Sequence, residues 1–195
     1  RILLGKDISI LIRGSLIAKG SQKNRIEVRS KDDSKPFGTF SIQPDNKDSH
    51  VVLKYFEING GNEALINGTY FSGQMSIHAA KVLINKSTFL NSTSDDGINI
   101  KYSYVDISDS YFANNLGDQI DLDYCNGSFS RNKLVFESYE GLNNLEVDGI
   151  DISGSEINIV ENIFENFSDK GISVGENSYP FIYKNNIMNS NMAIA

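Results

Sequence analysis

The sequence predicts an all-β protein in which the chain coils as a parallel solenoid and each coil stacks on the one before. The first observation is a short phrase with an apolar-polar-apolar core that recurs four times between Asp95 and Val174. Its steps are 22, 30 and 22 residues, counted from the first apolar residues Ile98, Ile120, Ile150 and Ile172. The second observation is strict alternation of apolar and polar residues, with no helical periodicity. Repeats of this size indicate stacked supersecondary units.

The N-terminal part alternates in the way that strands do. Apolar residues stand at every second position through Ile8, Ile10, Ile12, Leu16, Ala18, Ile26 and Val28, and again at Val51, Leu53, Phe56 and Ile58. Between these stretches, residues 31–50 are the most polar part of the chain, which predicts loops around one short strand, Thr39–Ile42.

The repeat continues through a second phrase, seven residues after the first. Its copies are Val82–Phe89, Val105–Phe112, Gly127–Leu134, Ile157–Phe164 and, after a two-residue insertion, Phe181–Met188. Met75 begins an earlier, degenerate coil, and Glu137–Glu146 is expected to form a loop. We therefore predict two strands per coil of about 22 residues in a single domain, residues 1–195, with insertions near 31–50 and 137–146. Neither end shows a capping element, which predicts an excerpt of a longer chain or an assembly that covers the ends.

In this register, equivalent residues of adjacent coils form ladders at the spacing of about 4.8 Å between strands. Three columns support the register. The apolar column is Phe89, Phe112, Leu134, Phe164 and Met188, and the polar column is Ser87, Ser110, Asn132, Asn162 and Asn186. The third column, Lys86, Asp109, Arg131 and Glu161, alternates in sign, which favours pairing between neighbouring strands.

Composition excludes several classes of function. The chain has 195 residues, 39% of them hydrophobic, which is enough for a core. Its formal net charge of −7 argues against nucleic acid and anionic membranes as partners, and no apolar run is long enough for membrane insertion. Cys125 is the only cysteine, so no internal disulfide is possible, and we expect it to be buried at a strand end.

Several phrases resemble those of right-handed parallel β-helix proteins of the pectin-lyase-like superfamily. They are the V-x-I-x-x-S-x-F-x-N phrase Val105–Asn114, the D-G-I-D-I-S-G-S phrase Asp148–Ser155, and Asp169–Glu176. Gly14–Gly20 is similar to the N-terminal coils of secreted or surface β-helix modules. The resemblance implies a single-stranded right-handed parallel β-helix and a secreted or cell-surface location. That superfamily contains polysaccharide lyases, hydrolases and epimerases beside non-catalytic modules, so the fold alone does not imply an activity.

The enzyme signatures of the superfamily are mostly missing. Asp95-Asp96 matches the paired aspartates of polygalacturonase-like hydrolases, but no Gly-His-Gly or Arg-x-Lys accompanies it. The Asp-Pro-His-Glu motif of alginate epimerases is absent.

The middle residue of each repeated phrase points outward, so two outward columns form a polar grid. The first column is Ser76, Asn99, Asp121, Asp151 and Ser173, and the second is His78, Lys101, Asp123, Ser153 and Gly175. Two stacked carboxylates repel each other unless a cation, a shared proton or donors intervene.

Three interpretations of the grid are open. Asp121, Asp151 and Asn99 supply oxygen ligands of the kind that Ca²⁺ uses. In a lyase acting on uronate polymers, the cation would neutralise the uronate and Lys101 or His78 would abstract the proton α to it. The third interpretation is a solvated sheet face with no ligand.

A neighbouring column, Asp96, Asp118, Asp148 and Lys170, is best explained by turn chemistry, because aspartate caps backbone amides before glycine or glutamine. Tyr102 and Tyr124 lie beside the grid and, with Asp123, are candidate substrate-binding residues, since an aromatic ring on a sheet face can stack on a sugar.

The leading functional hypothesis is an extracellular or surface β-helix module that binds a polysaccharide or surface glycan. A polysaccharide lyase-like enzyme working at the grid, with Ca²⁺, is the alternative. The third hypothesis is a structural spacer that associates end to end.

Overall fold

The computed structural model describes residues 1–46, 48–137 and 145–195, and in these residues there are 25 β-strands and no α-helix. The first nine strands are β1 (Ile2–Leu4), β2 (Ile10–Ile12), β3 (Leu16–Lys19), β4 (Ile26–Ser30), β5 (Phe40–Ile42), β6 (His50–Lys54), β7 (Phe56–Asn59), β8 (Ala64–Ile66) and β9 (Thr69–Phe71). The next nine are β10 (Gly73–His78), β11 (Lys81–Asn85), β12 (Thr88–Leu90), β13 (Asp96–Lys101), β14 (Tyr104–Ser108), β15 (Tyr111–Ala113), β16 (Ile120–Asp123), β17 (Asn126–Ser130) and β18 (Lys133–Val135). The last seven are β19 (Ile150–Ser153), β20 (Glu156–Val160), β21 (Ile163–Glu165), β22 (Lys170–Val174), β23 (Phe181–Tyr183), β24 (Asn186–Met188) and β25 (Met192–Ile194).

All but two of these strands form three parallel sheets. Sheet A has the order β1-β4-β7-β12-β15-β18-β21-β24, sheet B has β2-β5-β10-β13-β16-β19-β22-β25, and sheet C has β3-β6-β11-β14-β17-β20-β23. The chain visits sheet B, then C, then A in each coil, which confirms the parallel solenoid and gives about 7 turns of roughly 26 residues. The mean exceeds the predicted 22 because long connections interrupt the regular coils. The predicted loop Glu137–Glu146 lies mostly outside the described residues.

Each coil contains three strands, so the prediction of two was wrong. The phrase Val105–Phe112 is divided between β14 and β15 because Asp109 turns the chain between them with a left-handed φ of 53°. Similar corners stand at Tyr102 and Asn114, with φ of 54° and 58°. Only one residue makes each corner, so apolar-polar alternation alone does not reveal the break.

The predicted ladders of the middle coils are confirmed. The rings of Phe89 and Phe112 stack with centroids 4.9 Å apart inside the solenoid. Ser110 Oγ accepts the amide of Ser87 (3.1 Å), Asn132 Oδ1 accepts that of Ser110 (2.9 Å), and Asn162 Oδ1 accepts that of Asn132 (2.8 Å). The column therefore satisfies the buried amides that the corners leave without strand partners.

In the last coil the predicted register was wrong by one residue. Phe164 pairs with Ile187 instead of Met188, and the amide of Asn162 donates to Asn185 instead of Asn186. The insertion is therefore one residue long. Because side chains alternate, a slip of one residue turns each side chain to the other face, and Met188 is accordingly exposed while Ile187 packs on the core.

One pair of the predicted alternating charge column forms an ion pair. Arg131 donates to Asp109 from Nε (2.9 Å) and from Nη2 (3.2 Å), which joins two neighbouring coils by a two-point ion pair. Cys125 is buried, as expected, and burial raises the pKa of its thiol to about 12. Its amide donates to Ser155 Oγ at 2.8 Å.

One insertion covers part of sheet B. Strands β8 and β9 form an antiparallel hairpin whose turn is Asn67-Gly68, both residues with positive φ. Phe71, at the end of β9, is completely buried and stacks on His78 of β10. No helix in the described ranges has the length and apolar character needed to cross a lipid bilayer.

Candidate functional site

The outward face of sheet B brings the predicted grid together. Asn99 pairs in register with Asp121, Asp121 with Asp151, and Asp151 with Ser173. In the second column, His78 is the partner of Lys101, and Lys101 of Asp123. The adjacency that the repeat predicted is therefore present, and the chemical roles of these residues stay predictions.

Asn99 and Asp121 are joined through their side chains. Asn99 Nδ2 donates to Asp121 Oδ2 at 2.5 Å, while Oδ1 of each side chain is buried and has no hydrogen-bond partner. Burial, together with the charges of Asp96, Asp123 and Asp151, raises the pKa of Asp121 to about 9. Asp121 is therefore protonated at neutral pH, which removes the charge repulsion expected between stacked carboxylates.

Asp151 is less enclosed than Asp121. Burial raises the pKa of its carboxyl, and a hydrogen bond from Ser173 opposes that shift because it favours the charged form. The two aspartates of one column thus sit in different electrostatic environments, although the sequence repeat makes them equivalent.

Lys101 is engaged by Asp123, with 2.7 Å between Nζ and Oδ2. Burial disfavours the charge of Lys101, but the hydrogen bond and the charge of Asp123 outweigh it and raise the pKa of the lysine. In this arrangement Lys101 is a cation. As a general base it would first have to leave Asp123.

His78 lies beneath the hairpin. Its ring is 8% exposed and stacks on Phe71 with centroids 5.1 Å apart. Burial lowers the pKa of His78, against the opposing influence of Asn99, so the imidazole is neutral at neutral pH. Its Nε2 is buried without a hydrogen-bond partner. A neutral imidazole can accept a proton, but Phe71 covers its ring.

A buried acidic column runs along the turn that enters the strands of sheet B. Asp118 Oδ1 accepts the amide of Asp148 (3.3 Å), and Asp148 Oδ1 accepts that of Lys170 (2.6 Å). Lys170 Nζ also lies 3.3 Å from Asp148 Oδ2. These carboxyl groups cap backbone amides, as predicted, and each caps an amide of the next coil. Burial raises the pKa of Asp96 to about 7 and that of Asp118 to about 8.

Two tyrosines stack face to face at the corner beside the grid, and we call this exposed aromatic pair the tyrosine platform. The rings of Tyr102 and Tyr124 stack with centroids 5.1 Å apart and planes 7° apart, yet the residues are 63% and 57% exposed. Each follows a member of the second column, Lys101 or Asp123. The platform therefore adjoins the ion pair between those two residues.

The oxygen atoms that were predicted from the sequence to bind Ca²⁺ are only partly arranged as ligands. The unpartnered Oδ1 atoms of Asn99 and Asp121 lie on neighbouring strands and are of the hard type that Ca²⁺ prefers. Within the described ranges, however, no group of three or more His, Cys, Asp or Glu side chains is placed to hold a metal ion. Calcium stays a prediction.

The hairpin over sheet B was not predicted, although Asn67-Gly68 between short apolar segments is a strong hairpin signal. It brings Tyr70 close to the acidic column. Burial, a hydrogen bond to Glu63 and the charges of Asp95 and Asp96 raise the pKa of Tyr70 to about 12.

Comparison with known proteins gives little. No family model matches the chain, and no curated protein matches it significantly. Among solved structures, the chain is similar to an alginate lyase from a Paenibacillus species, with 12% sequence identity and a TM-score of 0.32, over 97% of this chain and 91% of that one. A similarity this weak carries no conclusion about fold or activity, both of which have to come from the chain itself.

Proposed function

We propose that this chain is a carbohydrate-binding β-solenoid module that holds its ligand on the outward face of sheet B. The observation that carries the proposal is the tyrosine platform, two parallel and largely exposed rings beside a row of polar side chains. Sugar rings present flat C–H faces and hydroxyl edges, so an aromatic surface next to hydrogen-bonding groups suits them.

The exposure of the platform favours binding over a purely structural use. Cross-strand aromatic pairs inside this solenoid, such as Phe89 and Phe112, are completely buried. Tyr102 and Tyr124 gain their mutual contact but leave more than half of their surface in water. A ligand that covered the pair would gain the burial that folding does not supply.

The charges of the face suit neutral or weakly acidic sugars. Lys101 and Asp123 neutralise each other, and Asp121 is protonated at neutral pH. The face is therefore less negative than its three carboxyl side chains suggest. The hydroxyl groups of a sugar can both donate hydrogen bonds to it and accept hydrogen bonds from it.

The proposal is tested by electrophoresis of the protein through gels that contain xylan, arabinogalactan, polygalacturonate or alginate. We expect at least one polysaccharide to retard the protein, and the Tyr102→Ala variant to regain its mobility. Retardation by none of them, or equal retardation of the variant, contradicts the proposal.

A second candidate function, cleavage of a uronate polymer by β-elimination, is favoured by one observation. A neutral His78 with an unpartnered Nε2 and the protonated Asp121 lie two strands apart on the outward side of sheet B, which places a base and an acid on the same face. The reaction requires the hairpin to move, because Phe71 covers the imidazole.

The assay for this candidate is the ultraviolet absorbance of unsaturated uronate. Product formation that His78→Ala abolishes supports it, as does loss in Lys101→Ala, whereas no product from any uronate polymer removes this candidate.

Three further parts of the proposal rest on the sequence. They are membership of the pectin-lyase-like superfamily, a secreted or cell-surface location, and end-to-end self-association as a structural spacer. Sedimentation over a range of protein concentrations tests self-association, and a monomer at every concentration would exclude it.

A further inference from the structure

A pocket of about 380 Å³ opens at the corner between sheets C and A, away from the grid. The side chains that give it chemical character are Gln22, Arg25, Tyr55, Lys86, Thr88 and Tyr111. It spans four successive coils, since Arg25 precedes β4, Tyr55 lies between β6 and β7, and Lys86 lies between β11 and β12. Tyr111, at the start of β15, belongs to the fourth coil. We call it the corner pocket. Its volume is at the small end of the range of roughly 300–1,000 Å³ for ligand sites.

Arg25 is held rigidly in the wall of the corner pocket. Its Nη2 donates to Thr88 Oγ1 at 2.6 Å and reaches the carbonyl oxygens of Phe56 and Lys86 at 3.4 Å. Its Nε is buried and lies 3.5 Å from Glu57 Oε2, near enough for an ion pair but without a hydrogen bond. Glu57 therefore matches part of the charge of Arg25, while the fixed guanidinium still lines the pocket and is suited to binding an anion.

Two ammonium groups lie on the ring of Tyr55. Lys54 Nζ is 5.9 Å and Lys86 Nζ is 5.8 Å from the ring centroid. No salt bridge joins either lysine to a carboxylate in the part of the chain that the structure describes. Of the two lysines only Lys86 lines the corner pocket, so it supplies the ammonium group that attracts an anion there.

One carboxylate, that of Asp109, also lines the corner pocket. Arg131 binds it through two donors, and Asn85 Nδ2 donates to Asp109 Oδ2 at 3.0 Å. Its charge is thus matched from the side of the next coil, so the excess charge of the pocket is positive, although the whole chain carries −7.

We propose that the corner pocket binds an acidic saccharide unit, with its carboxylate or sulfate group between Lys86 and Arg25. The cations supply the anion site, while the amide of Gln22 and the hydroxyl groups of Thr88 and Tyr111 face the remaining hydroxyls of the sugar. The site lies on a different edge of the solenoid from the tyrosine platform, so either can fail while the other stands.

The test is isothermal titration of the whole chain with D-galacturonate, D-galactose 6-sulfate and uncharged D-galactose. We expect at least one charged sugar to bind about tenfold or more tightly than galactose, and added salt to weaken it. The relative affinities of the two charged sugars distinguish a carboxylate from a sulfate ligand.

Variants tie the binding to the corner pocket. Lys86→Gln should weaken binding of the charged sugar at least about fivefold, since Lys86 is at the surface and the fold does not need its charge. The matched control is Lys184→Gln, because Lys184 lies at the same corner of a later coil, with Nζ 5.2 Å from the ring of Tyr183, but lines no part of the corner pocket. Arg25→Gln is a third variant, compared with the wild type only if its thermal midpoint is unchanged.

Three results would overturn the proposal. They are equal affinity for galactose and the charged sugars, unchanged affinity in Lys86→Gln, and no binding of either charged sugar at millimolar concentration. Loss of binding in Tyr102→Ala with Lys86→Gln unaffected would assign the acidic sugar to the tyrosine platform instead.

Discussion

Tyr124 lies over a residue that has no side chain. The next corner residue after Tyr102 and Tyr124 in this column is Gly154, and a Cβ there would stand 2.6 Å from Tyr124 Cδ1. Gly154 also has a φ of +60°, which glycine adopts most easily. The missing side chain thus provides the space that Tyr124 occupies, and it ends the tyrosine platform on one side.

Gly154→Ala should therefore displace Tyr124 and destabilise the protein. The clash adds to the cost of a positive φ for alanine, and we expect a loss of about 1–3 kcal/mol in the free energy of unfolding. Urea denaturation measures it. The control is Gly14→Ala, because a Cβ at Gly14 has nothing within 4 Å and its φ is not positive. Equal stability of the two variants would contradict this account of the corner.

The solenoid and the grid could be predicted from the sequence. Residues that are one coil length apart in the sequence become neighbours in a parallel solenoid, so the spacing of the repeat predicts which residues are adjacent. Asn99, Asp121, Asp151 and Ser173 are neighbours in space for that reason alone. The last coil was harder, because the segments Phe181–Tyr183 and Asn186–Met188 each carry an apolar residue at more than one position, so alternation permits two registers. Asn185 selects the register that continues the buried hydrogen-bond ladder from Asn162.

The electrostatics of the grid could not be predicted from the repeat. Asp121 and Asp151 occupy equivalent positions, and only their different burial separates them. The corner pocket was also missed, since its residues come from four coils and those of Arg25 and Tyr55 are irregular. Without the coil spacing, Arg25, Tyr55 and Lys86 have no sequence relationship that would bring them together.

Asn132→Ala tests the buried ladder. Its Oδ1 accepts the amide of Ser110 and its Nδ2 donates to the carbonyl of Ile107 at 3.1 Å, so alanine leaves two buried backbone groups without partners. We expect a loss of about 2–4 kcal/mol in the free energy of unfolding, by urea denaturation. Asn158→Ala, at an exposed position of β20, is the control and should change it by less than about 0.5 kcal/mol. A small loss of stability in Asn132→Ala would mean that water replaces the hydrogen bonds of the Asn132 side chain.

Stability should fall as the pH rises from about 5.5 to 8.5. Burial raises the pKa of Asp118 to about 8 and that of Asp121 to about 9, while both are near 3.9 in an unfolded chain. The folded state thus binds more protons, and its stabilisation is complete below the unfolded pKa and is lost as the pH passes through the folded pKa. Each group contributes a slope of up to about 1.4 kcal/mol per pH unit.

Asp118→Asn isolates one of these groups. The amide resembles the protonated carboxyl and its oxygen can still accept the amide of Asp148. The variant lacks the ionisation of Asp118, so its stability relative to the wild type should increase by about 1–3 kcal/mol between pH 5.5 and pH 8.5. Urea denaturation at both pH values gives the comparison, with the exposed Asp106→Asn as the control. A wild-type pH dependence in Asp118→Asn would show that Asp118 ionises normally.

Calcium should stabilise the protein through the outward face of sheet B, and this stabilisation should increase with pH. If Ca²⁺ binds the unpartnered oxygens of Asn99 and Asp121, it competes with the proton on Asp121 and stabilises more at pH 8 than at pH 5.5. Thermal melts with millimolar Ca²⁺ and with chelator measure the shift, and Asp121→Asn should remove it. An unchanged midpoint at pH 8 would exclude a calcium site on sheet B.

The most direct test of carbohydrate binding on sheet B is a titration of the polysaccharide that retards the protein most, against the wild type and two variants. Tyr102→Ala/Tyr124→Ala should weaken binding at least about tenfold, because it removes both exposed aromatic rings. Tyr179→Ala should leave the affinity unchanged, since Tyr179 is 75% exposed but lies outside the tyrosine platform. Equal affinity of the wild type and the double variant, with both folded, would contradict the account.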